Sequence, residues 1–303
     1  MKSAAKKRPS QSIVLCIVML GVLCGATASI FIRYGTAPTL VLAAYRKTIV
    51  TVLLLPSILL HHRAEWKQLR VKTLLWCLLA GVFLAIHFFT YFMSVKYTTI
   101  TASNVLAGTE ILFVSLVMYF SGKEKYSRMC KIGIALALIG SVLVSVTGSN
   151  NPAVNAPFGN FCGIVCAGML AAYSLVGTKI RRENISNTLF TFLAYGASAV
   201  VLNLLVACSG YSFFGYGKSN LLIAFGMAVL CSLLCHSLYT WSLEFISPTL
   251  LAIFKILAPI PTAVLGFLVF GEMPTGNQVV GGIVVIVGIC VYTLYASKTE
   301  SKS

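Results

Sequence analysis

The chain has 303 residues, of which 58% are hydrophobic and only 10% charged, with a mean hydropathy of +0.91; soluble domains carry about 25% charged residues, so a water-soluble fold is excluded. All seven acids are glutamates (Glu65, Glu110, Glu124, Glu183, Glu244, Glu272, Glu300), which removes aspartyl dyads and most carboxylate metal clusters. The net charge of +16 is distributed by membrane side rather than gathered into a nucleic-acid footprint.

A hydrocarbon core roughly 30 Å thick is crossed by about 20 apolar residues, and the chain holds ten such runs. Span 1, residues 12–33, follows KKRPSQ and contains Ala26-Thr27-Ala28, a pattern similar to a signal peptide. It is longer than a signal h-region and has an internal counterpart, so it is read as a retained helix. Span 2 (38–60) carries Arg46 and Lys47, about 12–13 Å below its outer end. Neighbours on a helix point about 100° apart, so both can hardly face one cavity; in the plainer of two readings one of them snorkels or packs on carbonyls, and in the other it serves the site. Span 3 (72–94) places His87 and Tyr91 on one face among Phe88, Phe89 and Phe92. Such aromatics serve either as packing and interfacial belt or as a stacking surface for a ligand.

Span 4 (99–120) has Glu110 near its middle, with Ser103 and Ala107 on the same face. A carboxylate there can carry a coupling proton, hold a substrate ammonium, or neutralise Arg46 or Lys47. Spans 5 to 8 cover 131–148, 158–179, 188–209 and 220–242; the last contains His236, Tyr239 and Trp241. Span 9 (248–270) contains LAIFKILAPIPTAVLGF, whose single cation, Lys255, costs roughly 2.5–3.5 kcal/mol at mid-depth. Either a carboxylate, from Glu110 or from the substrate, offsets that cost, or the side chain snorkels to the cytoplasm. Pro259 and Pro261 interrupt the span, as is tolerated where a helix lines a cavity. Span 10 covers 278–296, and its Gly281 and Gly288, like Gly133 and Gly140 of span 5, read as packing stripes, within the chain or in a homodimer.

The ten cysteines lie almost entirely in these runs and act as small hydrophobes. The pairs Cys162/Cys166 and Cys231/Cys235 have no acidic partner nearby, so no metal is expected.

Lys and Arg of the connections on the N-terminal side (Arg63, Lys67, Arg70, Lys72; Lys123, Lys125, Arg128, Lys131; Lys179, Arg181, Arg182) far outnumber Arg33, Lys96 and Lys218 on the other, which makes both termini cytoplasmic. An offset of 148 residues, without a gap, aligns Arg33 with Arg181, Tyr91 with Tyr239, Glu124 with Glu272, Gly133 with Gly281 and Gly140 with Gly288. Each copy has five spans, an odd number, so the second enters the membrane from the opposite face. The expected organisation is a tail (1–11), a first five-helix repeat (12–148), a linker (149–157), a second repeat (158–296) and a tail (297–303). The fold class is thus an all-α membrane protein built from two inverted repeats, which place a site near the midplane and let it open to either face.

The stretches LAAYRKTIVTVLLLP, SVKYTTITASNVLAGTEILFVSLVMYFSGKE and its copy SLEFISPTLLAIFKILAPIPTAVLGFLVFGE also resemble the drug/metabolite transporter superfamily, in its ten-helix EamA-type branch. The resemblance runs over essentially the whole chain. It implies a carrier of small metabolites with a central cavity lined mainly by helices other than 5 and 10. It also puts Arg46 at the family's arginine position, in a structural or gating role. Lys47 stands where the family has an aromatic, Ile111 where it has a proline, and Ala258 where it has a glutamate.

The leading expectation is a secondary transporter of an amino acid or related zwitterion or anion, working by alternating access in the plasma membrane as a monomer or homodimer. Lys47, His87, Tyr91, Glu110, Tyr239 and Lys255 are the candidate substrate-binding residues, and Arg46 and His236 the gating or structural charges. The partners expected are the bilayer and a small molecule, without nucleic acid; no cofactor is expected, and proton coupling stays open. An organic-phosphate or nucleotide-sugar exchanger is the alternative, and a channel or lipid scramblase the alternative of another class. An enzyme is not expected: the chain lacks HExxH, a P-loop, and a serine set beside a histidine and a carboxylate.

Overall fold

The computed structural model describes residues 10–120, 127–146, 155–180, 185–242, 245, 254 and 257–300, and among them there is helix but no strand. Span 1 is the helix Gln11–Tyr34, span 2 Thr39–His61 and span 3 Val71–Tyr97, with a short helix, Arg63–Lys67, between the last two. Spans 5, 6 and 7 are Arg128–Val146, Ala156–Ile180 and Asn187–Cys208; span 10 is Gly276–Glu300. Six described helices are long and apolar enough to cross a membrane whole, and the described apolar stretches of spans 4, 9 and 10 are shorter. Several starts are fixed locally. Ser10, Thr99 and Ser186 each turn a side-chain oxygen onto an amide three residues on, at Ile13, Ala102 and Leu189.

Three spans depart from plain helix. Span 4 breaks into Ile100–Ala107 and Glu110–Phe120, where the sequence reads as one run. Gly108 closes the first half, and the Thr109 hydroxyl takes the Leu106 carbonyl at 2.6 Å, so the chain makes a tight turn in place of a helical one. Span 9 is described as helix from Pro259, after a turn at 257–258, as its prolines require. The offset of 148 carries the turn of span 4 to within one residue of the turn of span 9. Span 8 begins and ends as α-helix, Gly217–Gly226 and Cys235–Ser242, with a π-helical stretch, Met227–Leu234, between them. Each π turn takes in one residue more than an α turn and rotates the rest of the helix about its axis.

The packing is exchanged by the repeat. Span 3 lies on spans 6 and 7, and its counterpart, span 8, lies on spans 1 and 2; span 1 meets span 9 as span 6 meets span 4. Spans 5 and 10 pair with each other, as do spans 2 and 7. At the first of these seams an added Cβ at Gly133 would stand 2.6 Å from the Gly288 carbonyl oxygen, and one at Gly140 2.6 Å from that of Gly281. Each contact maps onto the other under the repeat, so the glycine stripes serve packing inside the chain. In lipid, where burial drives helices together weakly, such close backbone approach supplies the contact energy. The outer surface shows large apolar side chains, Val52, Leu60, Leu75, Leu204, Leu222 and Leu268 among them, as a lipid-facing surface must. This is an all-α membrane protein of ten transmembrane helices in two inverted five-helix repeats.

Candidate functional site

A cavity of about 450 Å³ opens between the repeats, reached by residues from spans 1, 2, 3, 4, 6, 8, 9 and 10. Span 10 lines it through Gly282, Val285, Ile286 and Ile289. Most of the lining comes from the other spans.

The broken helices bring their polar groups to this space. Glu110 is the first residue of the second half of span 4, where the helix dipole favours a carboxylate, and Ser174 donates to its Oε1 at 2.5 Å. Arg46 is 4% exposed; its Nε donates to Ser232 Oγ at 3.1 Å and its guanidinium lies 4.6 Å from the Phe88 ring centroid. Both line the cavity, yet no ion pair joins Glu110 to Arg46 or to Lys47; the ion pairs among the described residues are Arg33–Glu272 and His62–Glu65.

Lys47 is not among the lining residues. It is fully buried, with Nζ 3.7 Å from the Phe88 centroid and 3.6 Å from that of Tyr195, and no described group hydrogen-bonds to it. A desolvated ammonium gains roughly 2 kcal/mol from an aromatic face. Adjacent residues on a helix do not share one cavity here, and Arg46 is the one that faces it.

His87 and Tyr91 both reach the cavity, as does Tyr239, which the repeat relates to Tyr91. His87 Nδ1 lies 3.0 Å from the Cys166 carbonyl oxygen and 3.2 Å from the Cys166 sulfur, contacts that hold the ring against span 6. Tyr91 donates to Asn104 Oδ1 at 3.2 Å, Asn104 Nδ2 donates to Ser29 Oγ at 2.8 Å, and Ser29 closes the ring by donating to the Tyr91 oxygen at 2.9 Å. Asn104 and Ser29 are absent from the residues the sequence singles out; Asn104, a lone amide inside an apolar span, is the signal that points to them. The Tyr239 ring lies where an added Cβ on Gly21 would come within 2.8 Å, so span 1 can approach span 8 only because that residue is glycine. Lys255 lies outside the described residues, as does the side chain of His236.

The EamA-like transporter family matches residues 12–146 and 158–294, one match to each repeat. The chain belongs to the EamA-like transporter family. This EamA-like transporter is 26% identical over 232 residues to an uncharacterized transporter of Archaeoglobus fulgidus, covering 76% of this chain and 77% of that one. It is 27% identical over 241 residues to one of Haemophilus influenzae, covering 73% and 74%. A solved crystal structure superposes with a TM-score of 0.60 at 20% identity over 96% of this chain and all of that one, which shows the shared fold alone. The EamA-like chain is therefore a transporter and a multi-pass membrane protein.

Proposed function

We propose that this EamA-like protein is a secondary transporter of a small zwitterionic organic metabolite, an amino acid or close relative, working by alternating access. The observation that carries this reading is that Arg46 and Glu110 line one cavity without neutralising each other. A ligand bearing both a carboxylate and an ammonium matches them, one pole each, while Tyr91 and Tyr239 offer its body aromatic surface. The volume, about 450 Å³, is in the range of small-molecule sites. Lys255, outside the described residues, is kept as a second carboxylate ligand, and His87 as a hydrogen-bonding one. Glu110 is also the group through which a proton would be coupled, and no cofactor takes part.

The Lys and Arg asymmetry supports cytoplasmic termini; the plasma membrane is the membrane proposed, with the bilayer as the lasting partner. A divalent organic phosphate fits less well, because Lys47 is enclosed by aromatic rings and the cavity presents a carboxylate. Purified protein in liposomes, challenged with radiolabelled amino acids, nucleotides and sugar phosphates, tests the reading. Saturable amino-acid uptake with counterflow supports it; uptake confined to phosphate esters, non-saturating flux, or lipid flipping alone sinks it.

A further inference from the structure

We propose that Arg33 and Glu272 form the latch of a gate that seals the cavity from the face opposite the termini, and that this contact must break in each transport cycle. The inference rests on the alternating-access reading above. Arg33 ends span 1 in the first repeat, and Glu272 lies in the connection from span 9 to span 10 in the second. Their side chains meet at 3.4 Å, with Glu272 only 4% exposed. The same guanidinium donates from Nε to the Val95 carbonyl at 2.5 Å and from its other arm to the Thr98 carbonyl, so one side chain gathers the ends of spans 1 and 3 against the second repeat. The Glu272 carboxylate accepts the Ile100 amide at 2.6 Å, at the N-terminus of span 4, where the helix dipole adds to the attraction.

The contacts around the pair also cross between repeats. Gln278 donates to Thr99 at 3.2 Å, Thr98 to Asn160 at 2.8 Å, and Asn220 Oδ1 accepts the amides of Thr36 and Ala37, each at 3.0 Å. Buried polar side chains bonded across two halves hold them shut at this level. If the halves rock against each other, this layer has to open, and its charged member dominates its strength.

The latch is also wired to the cavity. Ile100, whose amide Glu272 holds, receives Asn104 Nδ2 on its carbonyl at 2.8 Å, and Asn104 belongs to the ring with Ser29 and Tyr91 on the cavity wall. A ligand that pulls on Asn104 or Tyr91 therefore acts on the same turn of span 4 that the latch grips.

The protein carries its own reporters. Cys231 lines the cavity, while Cys208 is exposed at the end of span 7, on the face the latch closes. Treatment with a membrane-impermeant methanethiosulfonate, in intact cells or inside-out vesicles, whichever labels Cys208, is read at both cysteines by mass spectrometry. In the unaltered protein Cys231 should react far more slowly than Cys208. Glu272→Gln, which keeps an acceptor for the Ile100 amide but loses the charge, and Arg33→Gln should each speed Cys231 labelling about tenfold while Cys208 is unchanged, with Gln278→Ala giving a smaller rise. Cys231 reacting as fast as Cys208 in the unaltered protein, or unchanged labelling in correctly folded variants, overturns the latch. Because no substrate enters the assay, a failed amino-acid panel with accelerated labelling would leave the latch standing and remove only the proposed cargo.

Discussion

Arg46, Lys47 and Glu110 show how far one residue's setting outweighs its type. A cation inside the membrane demands a partner, and the two adjacent cations share the Phe88 ring but otherwise differ: Arg46 adds a serine on the cavity, Lys47 the ring of Tyr195 behind it. Losing one charge-assisted hydrogen bond to a ligand costs about 1.5–3 kcal/mol, or roughly 10- to 100-fold in affinity. Arg46→Gln and Glu110→Gln are therefore expected to raise the KM for a zwitterion by that factor in reconstituted uptake. Lys47→Met should leave KM within about threefold and the melting temperature unchanged or higher, because replacing a buried, unbonded amine by an apolar chain of similar volume is neutral to stabilising. A KM shift in Lys47→Met as large as that in Arg46→Gln would return Lys47 to the cavity. The residue types were legible from the sequence, and so was the impossibility of both cations facing inward. Which of them does so was not, since the choice turns on a rotation of about 100° that only the packing of spans 2, 3 and 7 sets.

Among the elements, the glycine stripes of spans 5 and 10 make the sharpest stability test. Gly288→Leu would put a Cβ 2.5 Å from the Ala137 amide, whereas Gly276 has nothing within 4 Å. Overpacking of this kind costs about 1–3 kcal/mol or more, so thermal unfolding in detergent should show a clear drop for Gly288→Leu and none for Gly276→Ala. On the termini face, the connection from span 2 to span 3 is tied to the cap of span 7: His62 Nδ1 lies 3.0 Å from Glu65, and the Ser186 amide donates to the same carboxylate at 2.9 Å. These bonds hold the Glu65 carboxyl below the ordinary carboxylate range, His62 contributing most, then Ser186. A lowered carboxyl pKa means stability that is present above the unfolded value of 4.5 and is lost as pH falls through the lower folded one. The melting temperature of Glu65→Gln should thus lie slightly below that of the unaltered chain near neutral pH and meet it in acid. The difference is small, roughly 0.2–1 kcal/mol, since the pair keeps partial exposure at the surface, 19% for His62 and 34% for Glu65; a gap that widens in acid contradicts the assignment. Periodicity marks spans and glycine seams well, but it misses the turn at Gly108 and Thr109 and the π stretch of span 8, because neither interrupts the apolar run.

For the whole molecule, the duplicated pattern was readable because a constant offset survives in both halves, and an odd number of spans per half leaves inversion as the only topology. The cavity between the halves follows from that symmetry; which side chains line it does not, because that depends on how each helix is rotated, as at Arg46 and Lys47. In the function proposed above, this cavity binds a dipolar solute between Arg46 and Glu110 and passes it across the bilayer. The most direct measurement is counterflow of radiolabelled amino acids into liposomes preloaded with the same unlabelled solute, comparing the unaltered protein with Glu110→Gln. A transient overshoot in the first, and its loss or a KM raised at least about tenfold in the second, is the result expected. Equal counterflow in the two, or none for any zwitterion while a phosphate ester exchanges, would contradict it.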